Sequence, residues 1–326
     1  MKRLPLASLL IAGVVVGGCG NDFPPATRVT ELRLLAVSAN PAQVAVGAEV
    51  TLTALAFDPD GQPIAYEWAV CKITQARSST STISQDCATS ADPADFYPAT
   101  TGQSTTFTLP AAINPGTLGL PDQSLGLYVP VRLVIRAPGR SSGDAERTIT
   151  GIYRLRVHYS DLLPDNHNPV LAGIWAVPSS GSTFADGAAP VTEDLGDTTD
   201  LGAVPIPAGG DGGTAIPPVS VQLLEGLPLE IHQGERRQLQ ALFEPQSFET
   251  FLGSDTKPHT EIPTVRWFAT AGTFDNQVTG QTSSTEFSLV DKDSIPARTG
   301  TIIDLWVIGS EDRNGVTWMH RQLIYR

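Results

Sequence analysis

Apolar and polar side chains alternate in short runs along most of the chain. In Glu49–Ala54, Val50, Leu52 and Ala54 alternate with Glu49, Thr51 and Thr53, so an extended segment has one apolar face. Ile64, Tyr66, Trp68 and Val70 share a face in the same way, and so do Val265 and Trp267. Each of these Trp residues then falls mid-strand on an inner face. The runs are separated by Gly, Pro, Asn and Asp. In "DPDG", residues 58–61, Pro59 presets φ and Gly61 permits a positive φ. "EDRNG", residues 311–315, ends in Asn-Gly, a strong hairpin signal. No stretch of ten or more residues has an amphipathic helical period. The pattern predicts an all-β chain, with a sandwich as its architecture.

The runs also recur in one order, twice. "LRLLAVSAN" is matched by "PVLAGIWAV", and "VAVGAEVTLTALAFDP" by "LEIHQGERRQLQALFEP". "IAYEWAV" is matched by "IPTVRWFATAG", and "QSTTFTLP" by "SSTEFSLV". "VPVRLVIRAPGR" and "GIYRLRVHY" have counterparts in "GTIIDLWVIGSEDRNG" and "VTWMHRQLIYR". Two related domains explain the shared order. The first is expected at 30–159, a linker "SDLLPDNHNP" at 160–169, and the second at 170–326. Within the second, about 179–218 is rich in Gly, Ala, Pro, Asp and Thr and has no Lys or Arg. It reads as an irregular acidic insertion.

The first copy resembles bacterial surface modules of the immunoglobulin-like and PKD-like type. The resemblance is carried by Pro41, Val46, Gly47, Val50, Leu52, Ala54, Asp58, Asp60, Gly61, Pro63, Tyr66 and Trp68. It implies two tandem immunoglobulin-like β-sandwiches, but no particular activity, since such modules serve many roles. One departure matters: Cys71 follows Trp68 with the opposite face parity, so a bridge from it would pin a loop excursion rather than the core.

The N-terminus has the order of an export signal. Lys2 and Arg3 precede an apolar stretch from Leu4 to Val16, then Gly17 and Gly18. The stretch is shorter than the ~20 residues that a spanning helix needs. Val16-Gly17-Gly18-Cys19 resembles the lipobox of bacterial lipoproteins. That resemblance implies a signal peptide at 1–18, diacylglycerol on the Cys19 thiol, an acylated new N-terminus and a lipidated tether at 19–29. Several acyl chains on one residue anchor stably where one does not. No Asp directly follows Cys19, which by the same resemblance points to the outer membrane, on either its periplasmic or its surface-exposed face.

Charge narrows the partners. The formal net charge is −13, and loss of Lys2 and Arg3 with the signal makes the chain more acidic still. A nucleic-acid partner needs a basic face and is not expected. With Cys19 lipidated, Cys71 and Cys87 remain as an even pair in an oxidising compartment and are expected to form a disulfide. Two buried thiols are the alternative. A metal there would need further ligands, and no His stands near in sequence.

Candidate chemistry is sparse. Asp58 and Asp60 flank a turn and are weak candidates for Ca²⁺, which wants six to eight oxygen ligands; a plain turn is the competing account. The acidic insertion offers only loose cation binding. No G-x-S-x-G elbow and no H-E-x-x-H is present, and His158, His167, His232, His259 and His320 have no metal-ligand spacing. In "IIDLWVI", Ile303, Leu305 and Val307 take one face, so Trp306 points the other way with Ile302. An outward Trp306 is a possible ligand contact for a glycan or a partner protein; the alternative is that the insertion or the neighbouring domain covers it. The expectation is therefore a lipid-anchored envelope protein with a structural or binding role toward a protein or glycan, without catalytic residues. A cation-stabilised adhesion module and an accessory or hydrolytic enzyme with an unrecognised site are the alternatives.

Overall fold

A computed structural model describes residues 25–72, 85–111, 127–158, 166–177, 221–252 and 257–326. The signal at 1–18, Cys19, the insertion at 179–218 and most of the linker lie outside these residues.

Two immunoglobulin-like sandwiches follow one another. The first contains β1 (Arg33–Asn40), β2 (Gln43–Ala45), β3 (Glu49–Phe57), β4 (Ala65–Val70), β5 (Thr100–Thr101), β6 (Ser104–Thr108), β7 (Leu127–Ala137) and β8 (Arg147–His158). Its sheets have the orders β1-β3-β6 and β2-β8-β7-β4-β5. The second contains β9 (Leu171–Val177), β10 (Val221–Gln222), β11 (Leu229–Ile231), β12 (Arg236–Phe243), β13 (Thr250–Leu252), β14 (Pro258–Thr260), β15 (Thr264–Ala269), β16 (Thr273–Phe274), β17 (Val278–Thr279), β18 (Ser284–Ser288), β19 (Ile302–Ser310) and β20 (Val316–Tyr325). Its sheets run β10-β9-β12-β18-β16 and β11-β20-β19-β15-β17, and β13-β14 form a separate hairpin.

The repeat survives at the level of pairing. β9-β12-β18 repeats β1-β3-β6, and β11-β20-β19-β15-β17 repeats β2-β8-β7-β4-β5. In both copies a short early strand pairs in parallel with the last strand, β2 with β8 and β11 with β20, while the neighbouring ladders are antiparallel. Each matched pair of sequence runs occupies the same place in its sheet.

Alternation explains what each strand buries. Val50, Leu52 and Ala54 join Trp68, Leu133, Ile135 and Leu155 in the first core. Leu239, Ala241, Trp267, Ile303, Leu305 and Val307 lie in the second. Trp68 and Trp267 hold equivalent central positions, and both are almost fully buried. Each indole still needs an acceptor once it leaves water. Trp68 Nε1 donates to the Gly102 carbonyl at 2.8 Å, and Trp267 Nε1 to Thr279 Oγ1 at 3.1 Å, both at the strand that flanks β4 or β15.

Cys71 and Cys87 are joined, with their Cα atoms 5.8 Å apart. The bridge lies off the main core, in a small cluster with Ala69 and Phe96 against Ile152. Cys71 N–H donates to the Pro130 carbonyl, and α1 (Gln85–Thr89) packs on β7 and β8. Arg132 stacks over the Phe96 ring at 3.9 Å and donates to the Ser90 carbonyl at 2.6 Å. The excursion thus covers the outer face of the β2-β8-β7-β4-β5 sheet.

Candidate functional site

The equivalent outer face in the second domain is covered differently. Phe268 of β15, Trp306 and Ile308 of β19, and Val316 and Trp318 of β20 pack with Leu35, Ala36, Leu55 and Phe57 of the first domain. A bulge between Leu34 and Ala36 makes this possible. The extra residue turns Leu35 and Ala36 outward together, while Leu34 and Val37 stay against their own core. Trp306 is 3 % exposed, its ring centroid 4.6 Å from that of Phe57 and stacked on His320 at 5.3 Å. The outward parity of Trp306 holds, but the first domain occupies the face. This corrects its reading as an open ligand contact: the neighbouring domain is the partner of the ring.

Both ends of this interface are pinned by backbone. At one pole, Val29 N–H donates to the Ala269 carbonyl and Ala269 N–H to the Thr27 carbonyl, at 2.8 and 3.0 Å. At the other, Asn168 bridges the domains: its Nδ2 donates to the Ala39 carbonyl, and its Oδ1 accepts from Val316 N–H. Asn314 Nδ2 donates to the Arg154 carbonyl at 2.6 Å. The positive φ of Asn314, 81°, is what the Asn-Gly turn signal foretold.

Beneath this second pole lies a buried acidic cluster. Hairpin β13-β14 brings Glu249 and Glu261 together: Glu249 N–H donates to Glu261 Oε2 at 3.0 Å, and Glu261 N–H to the Glu249 carbonyl at 3.1 Å. Arg313, from the β19-β20 turn, donates to Glu261 Oε1 at 3.1 Å, with both side chains almost wholly buried. Arg313 also lies 5.0 Å from the Phe251 ring centroid. Glu311 accepts from the N–H groups of Arg313 and Gly315, and from Asn166 Nδ2 at 3.1 Å. His167 Nδ1 sits 2.7 Å from Glu249 Oε1.

Burial dominates the electrostatics of the cluster. It pushes the Glu261 carboxyl up to about 8, helped by the Glu249 side chain and the charge of Glu311. Burial also raises Glu311, against the hydrogen bonds from Asn166, Gly315 and Arg313 that pull it down. The Tyr153 hydroxyl of the first domain is buried without a partner and is raised by burial and by the charge of Glu311.

The corresponding loops of the first domain hold Asp58 and Asp60. Arg147 clasps Asp58 with two bonds, 2.8 and 2.7 Å, and reaches Asp60 Oδ2 at 2.8 Å. Arg140 adds a bond to Asp60 Oδ2 at 2.8 Å. Burial alone would raise the Asp58 carboxyl; the Arg147 bonds and charge, with the Asp60 N–H, hold it below its ordinary value. Guanidinium groups thus take carboxylate oxygens that a Ca²⁺ ion would need, which favours the plain turn over the weak cation-ligand alternative. Among the described residues no group of three or more His, Cys, Asp or Glu is placed to hold a metal ion.

Sequence reasoning missed Glu249, Glu261, Glu311, Arg313 and Asn166. "EDRNG" was legible only as a turn, and nothing in spacing marks Glu249 and Glu261 as partners.

No family model matches the chain, and no curated protein matches it. Solved structures similar to it include the three N-terminal domains of the bacteriophage RB49 highly immunogenic outer capsid protein, the FN1–FN3 domains of chicken CNTN1, and dimeric latent PorU from Porphyromonas gingivalis. Identities are 8 %, 8 % and 12 %, and TM-scores 0.20, 0.20 and 0.21. The matches cover 90 %, 92 % and 91 % of this chain. They cover 59 %, 68 % and 24 % of the others, so the chain spans about three-fifths of the first and a quarter of the third. The immunoglobulin-like assignment rests on the chain's own sheet order.

Proposed function

We propose that the chain is a lipid-anchored cell-envelope protein with a structural or binding role, tethered to the outer membrane through Cys19. Support for the anchor is the Val16-Gly17-Gly18-Cys19 sequence behind a basic and apolar leader. The observation that carries the role is how ionisable side chains are used. Asp58 and Asp60 pair with Arg147 and Arg140, Glu261 with Arg313, and Asp304 with His320. Such pairing favours a scaffold, whose offer to an outside protein or glycan is its loops and sheet edges.

The anchor and the interface together set an orientation. Five residues lie between Cys19 and Pro25, so six steps of about 3.3–3.6 Å each link them when the chain is fully extended. Pro25, whose carbonyl accepts from Arg28 N–H beside the Ala269 pole, then stays within about 20 Å of the acylated residue. The opposite pole, with hairpin β13-β14 and the exposed Leu252 and Ile262, faces away and is the surface offered to a partner.

Intact mass and membrane fractionation of the native protein and of Cys19→Ala test this. Acyl mass with sedimentation in the outer membrane, and release of the variant, are expected. A soluble, unacylated native protein overturns the anchor and the orientation with it.

A further inference from the structure

We propose that the flank of the first sandwich, between β1 and β8, is a docking slot for an extended apolar segment of a partner protein. The segment adds beside β1 and buries one leucine-like side chain between the two sheets. The slot is distinct from the hairpin pole and does not depend on the anchor.

The chain carries its own template for the occupant. Gly47 and Gly234 hold the same place in the two domains, with φ of 81° and 79°. Each donates its N–H to the residue just past the matching strand, Leu109 after β6 and Leu289 after β18. Counting from these glycines sets the domains in register. Leu52 and Leu239 pair with Ala39 and Ala176, so Val37 of β1 matches Ile174 of β9. Val44 and Ile231 pair with Val157 and Tyr325, so Gly151 and Tyr153 of β8 match Met319 and Arg321 of β20.

In the second domain this flank is closed. β10 lies beside β9, and the next residue, Leu223, donates its N–H to the Ile174 carbonyl at 2.9 Å. The Leu223 side chain is buried in the core, where Met319 also packs. The Leu223 carbonyl accepts from Arg321 Nε at 2.7 Å.

In the first domain the same closures are missing. β1 ends its sheet, and among the described residues no strand matches β10. Gly151 stands where Met319 does, and Leu34 leans toward it: an added Cβ would lie 2.6 Å from Leu34 Cδ2. A cavity of about 200 Å³ remains, lined by residues that include Leu34, Ala36, Val37, Leu133, Gly151 and Tyr153. An apolar cavity of about 150 Å³ already takes a benzene-sized molecule, so a leucine side chain fits. Tyr153, in the place of Arg321, has a buried hydroxyl with no hydrogen-bond partner. A backbone carbonyl in the position of Leu223 supplies the acceptor that this donor lacks.

The slot is short. Asn168 Nδ2 already takes the Ala39 carbonyl, and Leu35 and Ala36 meet the second domain. It admits one apolar side chain with its own N–H and carbonyl. In strand addition the main-chain bonds give affinity and the pocket gives specificity.

The test is titration of the full chain with the peptide VQLLEG, residues 221–226, followed by amide chemical shifts. Saturable shifts are expected at Val37 and at Gly151–Tyr153. Replacing Leu223 of the peptide by Ala is expected to weaken binding by about tenfold or more, the worth of burying a leucine side chain. Replacing Leu224, which is exposed in the second domain, is expected to change little. In the protein, Tyr153→Phe is expected to keep or raise Tm, because the lost hydroxyl has no partner, yet to weaken the peptide by about three- to tenfold. Gly151→Met is expected to fill the slot and abolish the shifts. No shifts at Val37 and Gly151–Tyr153, or shifts at Ile174 instead, overturn the proposal; the latter would mean that the peptide only displaces β10. Equal binding of the Leu223→Ala peptide, or a Tyr153→Phe protein that loses stability and binds as the native chain does, overturns it as well.

Discussion

Phe57 and Trp306 place their ring centroids 4.6 Å apart, one from each domain, on sheet faces that in isolation would both meet water. The contact lies in an apolar cluster shared by the two sandwiches. Trp306→Ala removes its largest ring. Truncating a buried Trp costs about 3–5 kcal/mol. A calorimetric trace that shows one transition in the native protein is expected to show two in the variant, one for each domain. A single transition in the variant, shifted little, would mean that the polar pins at the poles hold the domains by themselves.

The two outer faces show why part of this was legible and part was not. Period-two alternation marks a side chain as inward or outward, and it placed Trp68, Trp267 and Trp306 correctly. It carries no information about what an outward face meets. In the first domain the disulfide-pinned excursion covers that face, and in the second the first domain covers it. Asp58 and Asp60 were visible as a turn, but Arg147 lies 89 and 87 residues away, so their pairing was not. Glu311 was likewise hidden, because Asn166 reaches it across 145 residues.

Replacing both Cys71 and Cys87 by Ser unpins the excursion. A closed loop of about 15 residues contributes about 3 kcal/mol through the unfolded chain. The urea midpoint is expected to fall accordingly, with amide protection lost first in α1. Arg132, stacked on Phe96, still anchors one side. Loss spread evenly over both domains would instead show that the bridge supports the interface.

Acid reveals the Asp58–Arg147 clasp. The folded Asp58 carboxyl is held below its ordinary 3.8. Its contribution to stability is therefore complete above 3.8 and is lost as pH falls through the folded value. Asp58→Asn is expected to lower Tm by a constant amount between pH 5 and 7, with the gap closing below pH 3.8. Arg147→Ala leaves a buried carboxylate without its partner and is expected to cost more than Asp58→Asn at neutral pH. Added Ca²⁺ is expected to leave the native Tm unchanged through this turn. A Ca²⁺-dependent rise that Asp60→Asn removes would return the turn to the cation ligands.

Gly315 tests how tightly the joint is built. A Cβ there would lie 2.5 Å from Glu311 Oε1, 2.7 Å from the His167 carbonyl oxygen and 3.1 Å from Pro169 Cδ. Glu311 cannot swing aside without giving up Asn166 and two backbone N–H groups. The His167 carbonyl belongs to the linker, so relief means moving the linker itself. Overpacking of this kind costs about 1–3 kcal/mol. Gly315→Ala is expected to raise exchange at Val316 and to increase the radius of gyration in solution scattering. Gly61→Ala supplies the contrast. Its φ of 65° makes a side chain strained, but no atom lies within 4 Å of the added carbon. That variant is expected to lose stability at its own turn and keep the native radius. If both variants keep the native radius, the clash at Gly315 is absorbed within the turn, and the linker is not what holds the two domains together.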